Sequence, residues 1–253
     1  MTNHDETDST QSFEEKGIYN SENTVNILIA TVKNWNIRNS YKIKEKNKKY
    51  NWHLITDNKQ LTYDEVAKID PKYVFFPHWS WKVPGEVYKN FECIAFHMAD
   101  LPFGRGGSPL QNLIERGIYA TQISALRMVD ELDAGPIYMK KPLSLCGSAE
   151  EIFMLASEIV FDMMIEIIEN NPTPKPQEGN PVVFKRRSPE ESEIPKESDL
   201  RRVFDYIRML DAEGYPNAYV DWSNLKMEFT RASLKDDFII AEVRITTKRM
   251  NRK

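Results

Sequence analysis

Val25-Asn26-Ile27-Leu28-Ile29-Ala30 is a short run of mostly branched apolar residues with no polar alternation. A strand buried on both faces reads this way, and such strands occupy the middle of α/β sheets. The pattern repeats downstream. Residues 36–48 are polar and charged and read as an exposed helix. Residues 52–56 form a second strand, 62–69 a second helix, 73–76 a third strand, and Cys93-Ile94-Ala95-Phe96-His97 a fourth. Strands alternating with helices predict βαβ units and a mainly parallel α/β sheet. Residues 119–129 and 137–145 add two more strands around a turn at 130–136. Ser148-Ala149-Glu150-Glu151 then opens the longest helix with a capping-box pattern, and Ile152, Leu155, Ile159, Met163 and Ile167 lie on one of its faces.

The flanks differ in composition. Residues 1–22 are polar and read as a flexible tail. Residues 172–199 are proline-rich and charged and read as a linker; residues 200–253 offer a helix and two or three strands, a small C-terminal α+β module. The main domain is thus expected over 23–171. The whole chain is 41% hydrophobic with a formal net charge of −4. No stretch carries the dense Lys/Arg footprint of a nucleic-acid binder, so no nucleic-acid partner is expected. No apolar run approaches the ~20 residues of a membrane span. Two cysteines, Cys93 and Cys146, make no disulfide framework and favour a reducing cytoplasm. No CxxC, HExxH or close histidine pair suggests a metal.

A parallel α/β sheet binds ligands beyond the carboxyl ends of its strands. Thr31 to Asn36 follow the first strand, Pro77 to Val83 the third, His97 ends the fourth, and Asp130, Glu131 and Asp133 follow the fifth. Of four histidines, His4 lies in the tail and His53 inside a strand, while His78 and His97 stand at strand ends. Either can move a proton near neutral pH, and either can equally be a hydrogen-bonded structural histidine. Leu101-Pro102-Phe103-Gly104-Arg105-Gly106-Gly107-Ser108-Pro109 is a shaped loop. It matches neither a P-loop nor a dinucleotide fingerprint.

Three blocks in this order resemble the formyltetrahydrofolate-dependent formyltransferase family. The family carries Asn-x-His at a strand end, then a Leu-Pro-x-x-(Arg/Lys)-Gly loop, then a Leu-Asp-x-Gly-(Asp/Pro) turn. Here they stand as Ala95-Phe96-His97, Leu101-Pro102-Phe103-Gly104-Arg105-Gly106 and Leu132-Asp133-Ala134-Gly135-Pro136. The resemblance covers about residues 25–185. It implies a Rossmann-like formyltransferase domain, 10-formyltetrahydrofolate as cofactor, and His97 and Asp133 as catalytic pair. It places the folate near Trp81, Lys82, Val83, Arg105, Asp130, Glu131 and Leu132. One position departs: the family Asn, which helps hold the developing oxyanion, is Ala95.

The segment after the first strand resembles the sugar N-formyltransferase branch. That branch implies a nucleotide-sugar substrate, a 4-amino sugar on uridine diphosphate, met by Lys33, Trp35, Asn36 and His78, with Trp35 as a stacking face. It also implies a homodimer. Two alternatives stay open: a methionyl-tRNA formyltransferase, and a folate-binding homologue impaired by Ala95.

Overall fold

The computed structural model describes residues 24–248, so the expected tail over 1–22 lies outside the described residues. The chain begins β1 (Asn26–Thr31), α1 (Asn34–Lys46), β2 (Asn51–Ile55), α2 (Tyr63–Ile69), β3 (Tyr73–His78), α3 (Gly85–Asn90), β4 (Cys93–His97). It continues β5 (Phe103–Gly106), α4 (Pro109–Glu115), β6 (Ala120–Arg127), β7 (Ile137–Ser144), α5 (Ala149–Asn170), β8 (Val182–Phe184). The last part is α6 (Leu200–Leu210), β9 (Ala218–Trp222), β10 (Leu225–Leu234) and β11 (Ile239–Thr247).

The central six-stranded sheet has the order β2-β1-β3-β4-β6-β7. Its first four strands are parallel, β6 runs antiparallel to β4, and β7 runs antiparallel to β6 and so in the direction of the first four. Because successive residues of β1 face opposite sides, Ile27 and Ile29 enter the core under α1, α4 and α5, while Leu28 and Ala30 enter the core under α2 and α3. This is why the opening run shows no alternation. From β1 the chain crosses to β2 on one side and later returns to β3 on the other. That reversal of direction leaves a crevice beyond the carboxyl ends of β1 and β3, where open α/β sheets hold ligands.

Three expectations need correcting. The polar segment at α1 is not an exposed helix: Trp35, Asn36, Ser40 and Ile43 are buried. Its inner stripe is narrow and partly polar, so mean hydropathy hides it. The glycine loop is not merely a loop, because residues 103–106 form β5, paired in parallel with β8. The third correction concerns residues 172–199. This stretch supplies β8, and Lys175 bridges to Ile137. A strand of three residues draws its order from its partner, not from its own pattern.

α5 carries the expected capping box, with Ser148 and Glu151 satisfying each other's backbone N–H. The C-terminal helix α6 shares the main core through Tyr206, Ile207, Met209 and Leu210. Buried Arg208 pins it there: Nε donates to Asp205 (2.6 Å) and Nη1 to the carbonyls of Leu145 (2.6 Å) and Gly147 (2.9 Å). A three-stranded antiparallel sheet, β11-β10-β9, follows. Among the described residues no helix is long and apolar enough to cross a membrane, and no cluster of metal-ligating side chains occurs.

Candidate active site

His97 ends β4 with only 8% of its surface exposed. Its Nε2 lies 2.6 Å from the carbonyl oxygen of Gly104. A carbonyl only accepts, so Nε2 carries the hydrogen, and in the neutral ring Nδ1 presents a lone pair. Asp133 Oδ2 sits 3.5 Å from Nδ1 and also accepts the backbone N–H of Gly106 at 2.9 Å. At 3.5 Å no hydrogen bond has formed, so Nδ1 keeps its lone pair for another proton donor. The nearby carboxylate is placed to stabilise an imidazolium.

The local geometry explains how residues distant in sequence meet. Gly106 has φ +99°, and a Cβ there would stand 2.5 Å from the Phe184 carbonyl oxygen, so only glycine lets β5 lie against β8 with its N–H aimed at Asp133. Gly135 permits the tight turn, since a Cβ would fall 1.7 Å from the Arg127 carbonyl oxygen. Asp133 itself has φ 54°, a left-handed conformation that aspartate tolerates better than most residues. Gln177 then ties the turn down. Its Nε2 donates to the carbonyls of Asp133 (2.7 Å) and Gly135 (2.9 Å), and its Oε1 accepts from Arg105 Nε (3.1 Å) and Nη2 (2.9 Å).

His97 and Asp133 open on a cleft of about 740 Å³, a size suited to a small organic ligand. Trp81, Lys82, Val83, Ala95, Asp130, Glu131 and Leu132 line it on the side of β4 and the turn. Trp81 is half exposed at the rim, against Trp79 edge-on at 5.3 Å. The indole nitrogen of Trp79 is buried in this wall without a protein partner. Asp130 accepts from Tyr88 Oη at 2.7 Å and pairs with Lys89 at 3.1 Å, and these contacts, Tyr88 first, hold its carboxyl below the usual range. Arg105 stands apart from the cleft lining. Its guanidinium is a strut, spent on Gln177 and on Glu131 at 3.1 Å.

The lining also includes Trp35, Asn36 and His78 together with Phe153, Ser157, Arg186 and Tyr215. Trp35 does not offer the expected stacking face: Phe153 already stacks on it at 5.7 Å and 4°, and Tyr215 stacks in turn on Phe153. His78 stands edge-on to both Trp35 and Phe153. Burial pushes its pKa down to about 4, with the charge of Lys33 adding to the effect, so at neutral pH it is an uncharged wall residue. Lys33 lies behind the lining, its Nζ over the rings of Tyr215 (5.0 Å) and Trp35 (5.5 Å).

Sequence reading missed Gln177, Arg186, Tyr215 and Phe153. None sits in a local motif: Phe153, Arg186 and Tyr215 reach the cleft through packing of α5, the 172–199 segment and the turn after α6, while Gln177 braces the turn behind the lining.

Comparisons with known proteins fit this geometry. A family model described as "Methionyl-tRNA formyltransferase, C-terminal domain" matches residues 189–246. A solved methionyl-tRNA formyltransferase from Clostridium thermocellum is 53% identical, covers 88% of this chain and 99% of its own, and superposes with a TM-score of 0.87. The methionyl-tRNA formyltransferase of Sulfurimonas denitrificans is 31% identical over 123 residues, 47% of this chain and 41% of that protein. This chain spans about half the length of the curated relatives it matches. A sugar N-formyltransferase from a Shewanella species shares the fold at TM-score 0.62, with 15% identity over 90% of this chain and 99% of its own.

These findings overturn two expectations. The nucleotide-sugar acceptor does not stand, because the relatives with substantial identity are named for a tRNA substrate. The exclusion of nucleic acid falls with it. A net charge of −4 is an average over 253 residues and does not say where the cations sit.

Proposed function

Because this chain belongs to the formyltransferase family, we propose that it transfers the formyl group of 10-formyltetrahydrofolate to the amino group of a methionyl-tRNA. The observation that carries this reading is the approach of His97 and Asp133 on the wall of one cleft. The names and identities of the relatives support the choice of acceptor. A cytoplasmic setting goes with that substrate.

The cleft suits a folate. It has the volume for one, an unpartnered buried indole N–H at Trp79, and a wall of turn backbone at residues 130–133. When bound, the folate supplies the formyl carbon and the nitrogen that leaves. This chain supplies the proton handling. An amine that attacks carbon must lose a proton, and His97 Nδ1 is the free lone pair positioned to take it. Asp133 stabilises the resulting imidazolium, and the Gly106 N–H holds that carboxylate in place. The proton then passes to the departing nitrogen. Negative charge gathering on the formyl oxygen needs a hydrogen-bond donor, and Ala95, a lining residue, offers only a methyl group. The imidazolium of His97, once formed, is the donor this chain has at that point.

The test is formyl transfer from 10-formyltetrahydrofolate to methionyl-tRNA, with uncharged tRNA and free methionine as controls. The wild type is expected to formylate only the charged tRNA. His97→Asn is expected to lose about a hundredfold or more in kcat. Tight folate binding without formylation of any amine would instead support the impaired-homologue reading that Ala95 favours.

A further inference from the structure

We propose that the part of the cleft lined by Arg186 and Tyr215, at the first turn of α1 and with Lys33 behind it, is a phosphate-binding subsite. It rests on the methionyl-tRNA reading for the identity of its ligand, a phosphate of the acceptor's terminal nucleotides.

Four independent features converge there. Arg186 lines the cleft, and its guanidinium makes no ion pair or hydrogen bond among the described residues. Its neighbour Arg187 is engaged with Glu115, so only one of the adjacent arginines faces the cleft. The Arg186 backbone is held firmly: its Cβ lies 2.4 Å from where a Cβ on Gly107 would be, and Arg187 N–H donates to Ser108 Oγ at 3.2 Å. Lys33 also lacks an ion-pair partner among the described residues. It is kept in place by the faces of Tyr215 and Trp35, and its charge reaches His78. Glu213, close in sequence to Tyr215, accepts from Asn34 Nδ2 at 3.2 Å and makes no ion pair with Lys33 or Arg186 among the described residues.

Tyr215 links the two cations. It lines the cleft, its hydroxyl has no protein partner among the described residues, and the charge of Arg186 acts on it. α1, 13 residues long, has no capping side chain and no acidic residue in its first turn, so its leading N–H groups remain open to an anion. Asn36, in that turn, is 1% exposed, lines the cleft, and has a buried Oδ1 without a partner. An amide oxygen only accepts, so what completes it is a hydroxyl or amino donor of the same ligand, beside the phosphate and not the phosphate itself. An arginine without an ion-pair partner among the described residues, a phenol and helix N–H groups at the lining, with Lys33 behind them, match a phosphate. Arginine in particular binds phosphate through paired N–H donors.

The activity test compares two acceptors, a methionyl ester of adenosine and one of the trinucleotide CpCpA, which differ in their phosphates. Arg186→Ala is expected to reduce the wild-type preference for the phosphate-bearing acceptor roughly ten- to hundredfold, with Arg186→Lys restoring part of it. An unchanged preference overturns the proposal. So does a rise in the KM for the folate alone, which would assign the cations to the folate's carboxylate tail. Calorimetric titration with inorganic pyrophosphate decides the subsite without turnover. Binding to the wild type that is lost in a Lys33→Met/Arg186→Ala double variant supports it, and binding that survives in the double variant, or is absent from the wild type, refutes it. If the wild type formylates neither ester, the functional reading fails, while the titration still judges the subsite.

Discussion

His78 makes folding stability fall in mild acid by a calculable amount. It closes β3 with its ring edge-on to Trp35 and Phe153, at 6.3 and 5.7 Å between centroids. Burial, aided by Lys33, lowers its pKa from 6.5 to about 4 in the folded protein. The unfolded chain takes up a proton as pH drops through 6.5, while the folded protein refuses it until about pH 4. Stability contributed by the neutral ring is therefore fully present above pH 6.5 and is lost as pH falls toward 4. At about 1.4 kcal/mol per pH unit the full loss is about 3 kcal/mol, of which a little under half has gone by pH 5.5. That is a large share of a typical domain stability of ~5–15 kcal/mol. Urea unfolding followed by tryptophan fluorescence at pH 7, 5.5 and 4 measures it. Other groups titrate over the same interval, so the informative quantity is the wild type minus His78→Phe, which keeps a ring and removes the titration. That difference should shift by about 3 kcal/mol between pH 7 and 4, in favour of the variant at low pH. A difference that stays flat across the three pH values refutes the reasoning.

Asp133→Asn keeps an oxygen for the Gly106 N–H but removes the charge facing His97; kcat is expected to fall roughly a hundredfold, with little change in the urea midpoint, and a matching loss of stability would mark a purely structural role. Gly106→Ala places a Cβ 2.5 Å from the Phe184 carbonyl at φ +99°, and should cost about 2–4 kcal/mol in urea unfolding. An unchanged midpoint would show that β5 and β8 separate freely. Arg208→Met strands buried Asp205, whose remaining side-chain partner is Tyr119 Oη, and is expected to cost roughly 3–5 kcal/mol; a loss under about 1 kcal/mol would mean that water reaches the pair.

What could be read from the sequence depended on how local the cause was. β1 was legible because burial on both faces writes itself into consecutive positions, Ile27 to Ala30. The α5 start was legible because Ser148 and Glu151 lie within one turn. His97 and Asp133 could be placed at strand ends from the α/β pattern, but joining them as a pair took resemblance to a family, since nothing local says that a strand end and a distant turn meet. Gln177 was illegible: it lies in a proline-rich stretch, and its hydrogen bonds go to backbone carbonyls of the 133–135 turn. Asn36 and Ser40 hid inside α1 because a polar residue facing inward looks, in sequence, like one facing water. The acceptor was misjudged for a related reason, as net charge carries no position.

The cleft is a composite, which changes how the C-terminal half should be regarded. The switch between β1 and β3 makes the crevice, but only the segments after α5 complete it. Gln177 holds the turn that carries Asp133, the Phe184 carbonyl accepts the N–H of Gly107 beside Gly106, and Arg186 and Tyr215 form part of the lining. α6 keeps these in place, because Arg208 donates to the carbonyls of Leu145 and Gly147 just before α5 begins. The α/β sheet thus brings His97 to an edge of the cleft, and the segments after α5 both hold the Asp133 turn against it and line part of the cleft. On the proposed function, a change in those segments would therefore alter proton handling and acceptor fit together.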